Sequence, residues 1–253
     1  MSRKNYRPMT EPVKLPEQGS GLASALFIAV PVLFAALIAY STMTGRSLSP
    51  MSWYLTRAAG ITLYLLFWGV VMTGLLLTTR IFDRMVSKAT LFSVHGYLGR
   101  LAYAFLAAHL LSLVIDQHLP FTIEQLVVPF GGPTGEPWTG FGILATYLFV
   151  IVIASASWRR YIPYAVWRFL HVLAFPMFAL SLMHGIGSGS STSAPIMQAV
   201  YLLTGAGVVV LCLVRLAVWR PGKQAADASR QPAPFDRFGV QTTLPQATSE
   251  RHS

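Results

Sequence analysis

The sequence predicts an all-α, polytopic membrane protein: a six-helix transmembrane bundle with N- and C-termini cytoplasmic. Three observations carry this reading. Of 253 residues, 54% are hydrophobic and 11% charged, and the mean hydropathy is +0.54. That is the composition of a membrane chain rather than a soluble one. A bilayer core of roughly 30 Å takes about 20 apolar residues per helix, and six stretches meet this length, at about 22–40, 53–77, 92–115, 140–157, 162–185 and 196–219. Cations then alternate between the connections. Arg3, Lys4, Arg7 and Lys14 precede the first stretch; Arg80, Arg84 and Lys88 follow the second; Arg159 and Arg160 follow the fourth. Arg220, Lys223, Arg230, Arg237 and Arg251 follow the last, while the opposite loops carry only Arg46. This is the positive-inside pattern, and it sets the orientation.

Residues 1–20 read as a polar, flexible tail, 21–220 as the membrane domain, and 221–253 as a disordered cytoplasmic tail rich in Pro, Gln, Ala, Ser and Thr. The first stretch follows a polar start of about 20 residues and contains Pro31. A cleaved signal has a shorter start and a small-residue cleavage site, so this helix is expected to be retained. The second stretch opens on Trp53, Tyr54 and Arg57 and runs inward; the third runs outward with His95 and His109. The loop from Asp116 to Gly140 is rich in Pro and Gly, and its middle, FTIEQLVVPF, is expected to form a short interfacial helix over the outer mouth. The fourth stretch returns inward to Trp158, and the fifth carries His171 and His184 outward. A turn, GIGSGSSTSAP, leads to the sixth. Tryptophans 53, 138, 158 and 219 fall at expected interfaces, as an aromatic belt does.

Several function classes fall away. Runs of this length exclude membrane β-barrel strands. One cysteine, Cys212, cannot build a disulfide, a Cys₄ zinc site or an iron–sulfur cluster, and reads as a small core hydrophobe. The net charge of +10 is placed for topology and anionic lipid rather than nucleic acid. No GxGxxG follows a strand, and no P-loop, HExxH, GxSxG or CxxC is present. No FAD or NAD(P) site is therefore expected in this chain, which leaves it without a reductant of its own.

Four histidines stand inside the apolar segments. Ionisable groups in a membrane are costly and mark functional sites by default. His95 and His109 are 14 residues apart, His171 and His184 are 13 apart. The two segments run in the same direction, so His95 should face His171 near the cytoplasmic side and His109 should face His184 near the outer side. At about 1.5 Å per residue the two levels are roughly 20 Å apart. Neutral imidazoles from two sides satisfy iron without a buried protein charge, so each pair is a candidate ligand set for one heme iron. The bland alternative is a set of hydrogen-bonded polar residues. The phase tests the idea: 14 steps bring His109 back to within about 40° of His95, but 13 steps leave His184 about 140° from His171. Pro176 lies between the latter two, and proline kinks or rewinds a helix, so a distortion is expected there.

Neighbouring residues support a bulky ring. Gly99 lies one turn beyond His95, and Gly96, Gly185 and Gly187 flank the histidines; small-residue helix packing is the plain alternative. Heme propionates want cations. Arg57 is placed for the outer heme and Arg168, three residues before His171, for the inner one, with Arg100 a weaker choice; snorkelling to lipid headgroups is the alternative for each. Met177 and Phe178 lie midway between the fifth-segment histidines, as core filler or as a bridge between hemes. His118 reads as a solvated loop residue beside Asp116, with proton delivery or metal approach as the sharper possibility, and His252 lies in the tail.

At WYLTRAAG (53–60), HGYLGR (95–100), RRYIPYAVWRFLH (159–171) and LMHGIG (182–187) the chain resembles the ferric reductase-like transmembrane family. That family includes the membrane parts of NADPH oxidases and iron reductases, and the heme subunit of bacterial methionine sulfoxide reductase. The resemblance covers roughly 22–219. It implies two b-type hemes carrying electrons from the cytoplasmic to the outer face, held by the four histidines, with an arginine beside the outer heme where Arg57 stands. Oxidases and iron reductases of this kind continue into FAD and NADPH domains. The chain is more similar to short bacterial members without them, for which the expected electron donor is a separate flavoprotein or quinol. The expected location is the bacterial inner membrane, as a multi-pass protein in membrane lipid. The chain is expected to be an oxidoreductase or the heme subunit of one. The main alternative is a quinol-oxidising cytochrome b-type subunit of a larger complex, and a heme-free channel or transporter is disfavoured because few other polar residues line the helices.

Overall fold

Apolar runs of 20 or more residues have one economical answer in lipid: a helix, in which every backbone N–H and C=O is satisfied within the segment. The computed structural model describes residues 51–79, 86–115, 121–131 and 137–218, with isolated positions between 29 and 44. Among these residues the fold is all-helical. The helices are α1 (Met51–Thr79), α2 (Lys88–Ile115), α3 (Ile123–Val127), α4 (Pro137–Ser157), α5 (Tyr164–Val172), α6 (Ala174–Ser188) and α7 (Pro195–Val218). Five spans are long and apolar enough to cross a membrane: α1, α2, α4, α5 with α6, and α7. The first expected stretch, 22–40, lies outside the described residues apart from isolated positions. The tails at 1–20 and 221–253, with Arg80, Arg84, Asp116, His118, Trp219 and His252, lie outside them as well. Met1–Arg215 is one compact unit and Leu216–Ser253 a second, of which the described part is the end of α7.

Consecutive spans alternate in direction. Gly60 of α1 meets His109 of α2 while Gly74 meets His95, which makes that pair antiparallel. Gly142 of α4 meets His184, and Gly187 of α6 meets Trp138 of α4, so these two are antiparallel as well. Lys88, Arg159, Arg160 and Arg168 consequently gather at one end of the bundle, the basic end; Arg57 stands at the other. Between lipid-solvated helices there is little hydrophobic drive to associate, so tight packing and interhelical hydrogen bonds hold the bundle. Phe67 tilts against Phe149 at 4.9 Å, Tyr64 stacks on Phe178 at 5.8 Å, and Met177 is wholly buried beside them. Tyr64 and Thr204 share a hydrogen bond that ties α1 to α7. Leu202, Leu203, Val209, Val210 and Leu213 of α7 point outward, an apolar face suited to lipid.

The expected distortion between His171 and His184 is present, three residues before the proline. The helix stops at Val172, turns through Leu173 (φ −60°, ψ −11°) and restarts at Ala174. Pro176 has no N–H to offer the carbonyl of Val172, and its ring crowds that carbonyl. The chain tightens instead: Leu173 N–H donates to Leu170 O at 3.2 Å, and Met177 N–H resumes the ladder to Leu173 O at 3.0 Å.

The short helix α3 also forms within the loop segment read as interfacial. Thr122 caps it, with its hydroxyl accepting from Gln125 N–H while Gln125 Oε1 accepts from Thr122 N–H, a capping box. Tyr147 of α4 donates its hydroxyl hydrogen to Val127 O and ties α3 down.

Candidate functional site

The parallel course of α2 and α5–α6 brings the four histidines together in two pairs. The rings of His95 and His171 have centroids 6.0 Å apart, and those of His109 and His184 are 6.4 Å apart. First meets first and second meets second. A first-row metal binds imidazole nitrogen at about 2.0–2.1 Å and the ring centre lies about 1.1 Å further, so two rings across one metal have centres about 6.3 Å apart. Both pairs are spaced to admit an ion between them.

Three of the four rings are held by one repeated device. His109 Nδ1 lies 2.9 Å from Thr56 O, and the ring rests on Gly60, four residues on. His95 Nδ1 lies 3.1 Å from Val70 O, with Gly74 four residues on. His184 Nδ1 lies 2.9 Å from Trp138 O, with Gly142 four residues on. A carbonyl oxygen only accepts, so each Nδ1 carries the hydrogen and each Nε2 keeps a free lone pair. This is the usual way a metal-binding histidine is oriented and its basicity raised. His95 gains a second partner in Thr73 Oγ1 at 3.1 Å, and Thr56 Oγ1 donates to Ser112 Oγ at 2.8 Å beside His109. Gly60 and Gly142 are what permit it at His109 and His184. A Cβ at Gly142 would stand 2.8 Å from His184 Nδ1, and one at Gly60 would stand 3.0 Å from His109 Cε1. Gly60, Gly74 and Gly142 were not singled out by the sequence reading. A signal was present: Gly60 and Gly74 are 14 apart, the same interval as His95 and His109.

His171 differs. Its Nδ1 is buried without a hydrogen-bond partner among the described residues. Its ring stacks on Trp167 at 5.0 Å and 21°, and the guanidinium of Arg159 lies 4.4 Å from the centre of the Trp167 ring.

A cavity of about 650 Å³ adjoins the His109/His184 pair, a size typical of cofactor pockets. Arg57, Tyr64, Gly142, Ser191 and Tyr201 contribute to its wall. Arg57 lies 5.2 Å over the Trp53 ring and has no ion pair among the described residues. Ser191 Oγ, in the same wall, is buried and has no partner among the described residues.

The other expected supports fall as follows. Among the described residues nothing lies within 4 Å of where a Gly99 Cβ would stand; Gly96 faces Arg100, Gly185 faces Tyr201 and Gly187 faces Trp138. Gly187 is nevertheless constrained, because a Cβ there would come within 2.1 Å of the Trp138 ring. Gly187→Ala should lower stability by about 1–3 kcal/mol through overpacking; thermal unfolding in detergent checks this. Arg168 is exposed, and no described contact joins it to either pair. Met177 and Phe178 are buried in the core between the two levels. Cys212 is half-buried in α7. Among the described residues, no three His, Cys, Asp or Glu side chains lie together as a metal cluster.

Fold and site define a multi-pass helical membrane protein with facing imidazoles at two depths. The model of the family "Ferric reductase like transmembrane component" matches residues 59–182, so that part of the chain is similar to the ferric reductase-like transmembrane family. The match takes in His95, His109 and His171 and stops two residues short of His184. No curated protein and no solved structure matches the chain significantly.

Proposed function

We propose that this chain is a diheme b-type transmembrane electron-transfer protein. In this reading His95 and His171 hold one heme and His109 and His184 the other, within a domain spanning 21–220. Transmembrane domains of this family generally bind heme, and the family suggests electron transfer across the membrane. The observation that carries the reading is the double pairing at 6.0 and 6.4 Å, with Nδ1–H donated away at three of the four rings.

Bound heme supplies a one-electron iron couple, and two at different depths supply a path across the bilayer. The protein's own part is to orient and to shield. The glycines let imidazoles approach the helix backbones, and the carbonyls fix ring rotation and tautomer. Arg57 and Ser191 offer a cation and a hydroxyl to a propionate in the outer cavity; Arg168 is the corresponding cation at the basic end. Electrons enter from the cytoplasmic, basic end, from a separate flavoprotein or a quinol, and leave at the Arg57 end. The expected setting is a bacterial inner membrane.

A dithionite-reduced minus oxidised spectrum of the purified chain, with heme counted per polypeptide, tests this. Two b-type hemes per chain are expected. A correctly inserted sample that binds none when supplied with hemin overturns the reading.

A further inference from the structure

Three histidines share a hold that the fourth lacks. His95, His109 and His184 each donate Nδ1–H to a helix carbonyl. His171 donates to none among the described residues, although its Nδ1 is buried. Something else must fix its ring. Trp167 sits four residues earlier on α5, so both side chains project from one face of the helix. The rings lie at 5.0 Å and 21°, close to parallel. Trp167 Nε1 is itself buried and unpartnered among the described residues, so no hydrogen bond from them at its nitrogen holds the indole. Against it lie the Tyr164 ring, at 5.7 Å, and Arg159, from the turn between α4 and α5, with its guanidinium 4.4 Å from the ring centre. A guanidinium over an indole face is held by attraction to the ring's negative face.

We infer that Trp167 and Arg159 are positioning residues for His171, a cation–indole–imidazole stack that does at one ligand what a carbonyl does at the other three. This rests on the heme reading above and deepens it. Two electronic consequences follow. A histidine whose Nδ1–H is donated to an acceptor is the more basic ligand, so His171 is a poorer donor than its three counterparts. The fixed positive charge of Arg159, two rings away, favours the reduced over the oxidised iron by simple Coulomb attraction to the added electron. Both effects push the potential at the basic-end pair upward, and neither acts on the His109/His184 pair. Both effects act at one level only, through side chains that touch no proposed heme ligand but His171.

The test uses the full chain loaded with heme, with potentiometric titration and the low-spin ferric electron paramagnetic resonance signals as readouts. Single-heme variants His95→Ala and His109→Ala assign each wave to its level. Arg159→Gln should shift the basic-end wave to more negative potential and leave the other unmoved. Trp167→Leu should alter the resonance of the basic-end heme, which senses imidazole orientation, whereas Trp167→Phe, which keeps a ring to stack, should preserve it. If Arg159→Gln and Trp167→Leu leave both waves and both signals in place, or shift the two levels equally, the stack has no positioning role. A Trp167→Phe protein that behaves like Trp167→Leu also overturns it. Failure of the wild-type chain to bind two hemes would instead sink the parent reading before any variant is compared.

Discussion

His184→Ala should reduce the heme content from two per chain to one, and His109→Ala should do the same. The two residues face each other at 6.4 Å, so losing either leaves a single imidazole at that level. The other level, roughly 20 Å away along α2 by helix rise, shares none of their hydrogen bonds: His95 is held by Val70 and Thr73, and His171 by Trp167. His95→Ala and His171→Ala should remove the complementary heme. Pyridine hemochrome counting and the reduced-minus-oxidised spectrum read the result. If His109→Ala and His184→Ala remove different hemes, or neither removes one, the pairing is wrong.

The next largest effect belongs to a residue with no side chain. Gly142→Ala places a Cβ 2.8–2.9 Å from three atoms of the His184 ring. Those atoms belong to a rigid ring tied to Trp138 O at 2.9 Å, not to the free end of a flexible chain. The ring must move and the hydrogen bond must stretch. Loss of an orienting partner of this kind typically costs about 10–100-fold in metal affinity, and that is the weakening expected at the His109/His184 level. Gly74→Ala is the internal control, since its Cβ would meet His95 at 3.4 Å, an ordinary contact. Heme titration into both variants decides: equal affinities, or a worse Gly74→Ala, would refute the notch argument.

Much of this arrangement is legible in the sequence. Long apolar runs prescribe helices, and an ionisable residue within one has to be explained, which is why the four histidines stood out. Their pairing followed from direction alone, because the segments are two apart in an alternating bundle. Pro176 was readable as the cause of an altered phase, although the break falls at Leu173, where the missing hydrogen bond is felt. What could not be read was contact across registers. Gly142 and Trp138 belong to His184 only because α4 slides against α6 to one particular alignment, and a single sequence does not state that alignment. Gly96, Gly99, Gly185 and Gly187 were favoured because they neighbour histidines along the chain; the glycines that touch the rings lie on adjacent helices. Trp167 was within reach, four residues before His171, but an aromatic there reads equally as interface belt. The first apolar stretch, 22–40, lies outside the described residues, so the six-helix count remains an expectation beside five described spans.

The recesses at Gly60 and Gly74 repeat at the interval of the two imidazoles that fill them. Sliding α1 along α2 would therefore carry both glycines away from their rings together. The hairpin made by these spans carries its own ruler. In the reading proposed above, a single register of the hairpin thus sets half of each heme-ligand pair at once.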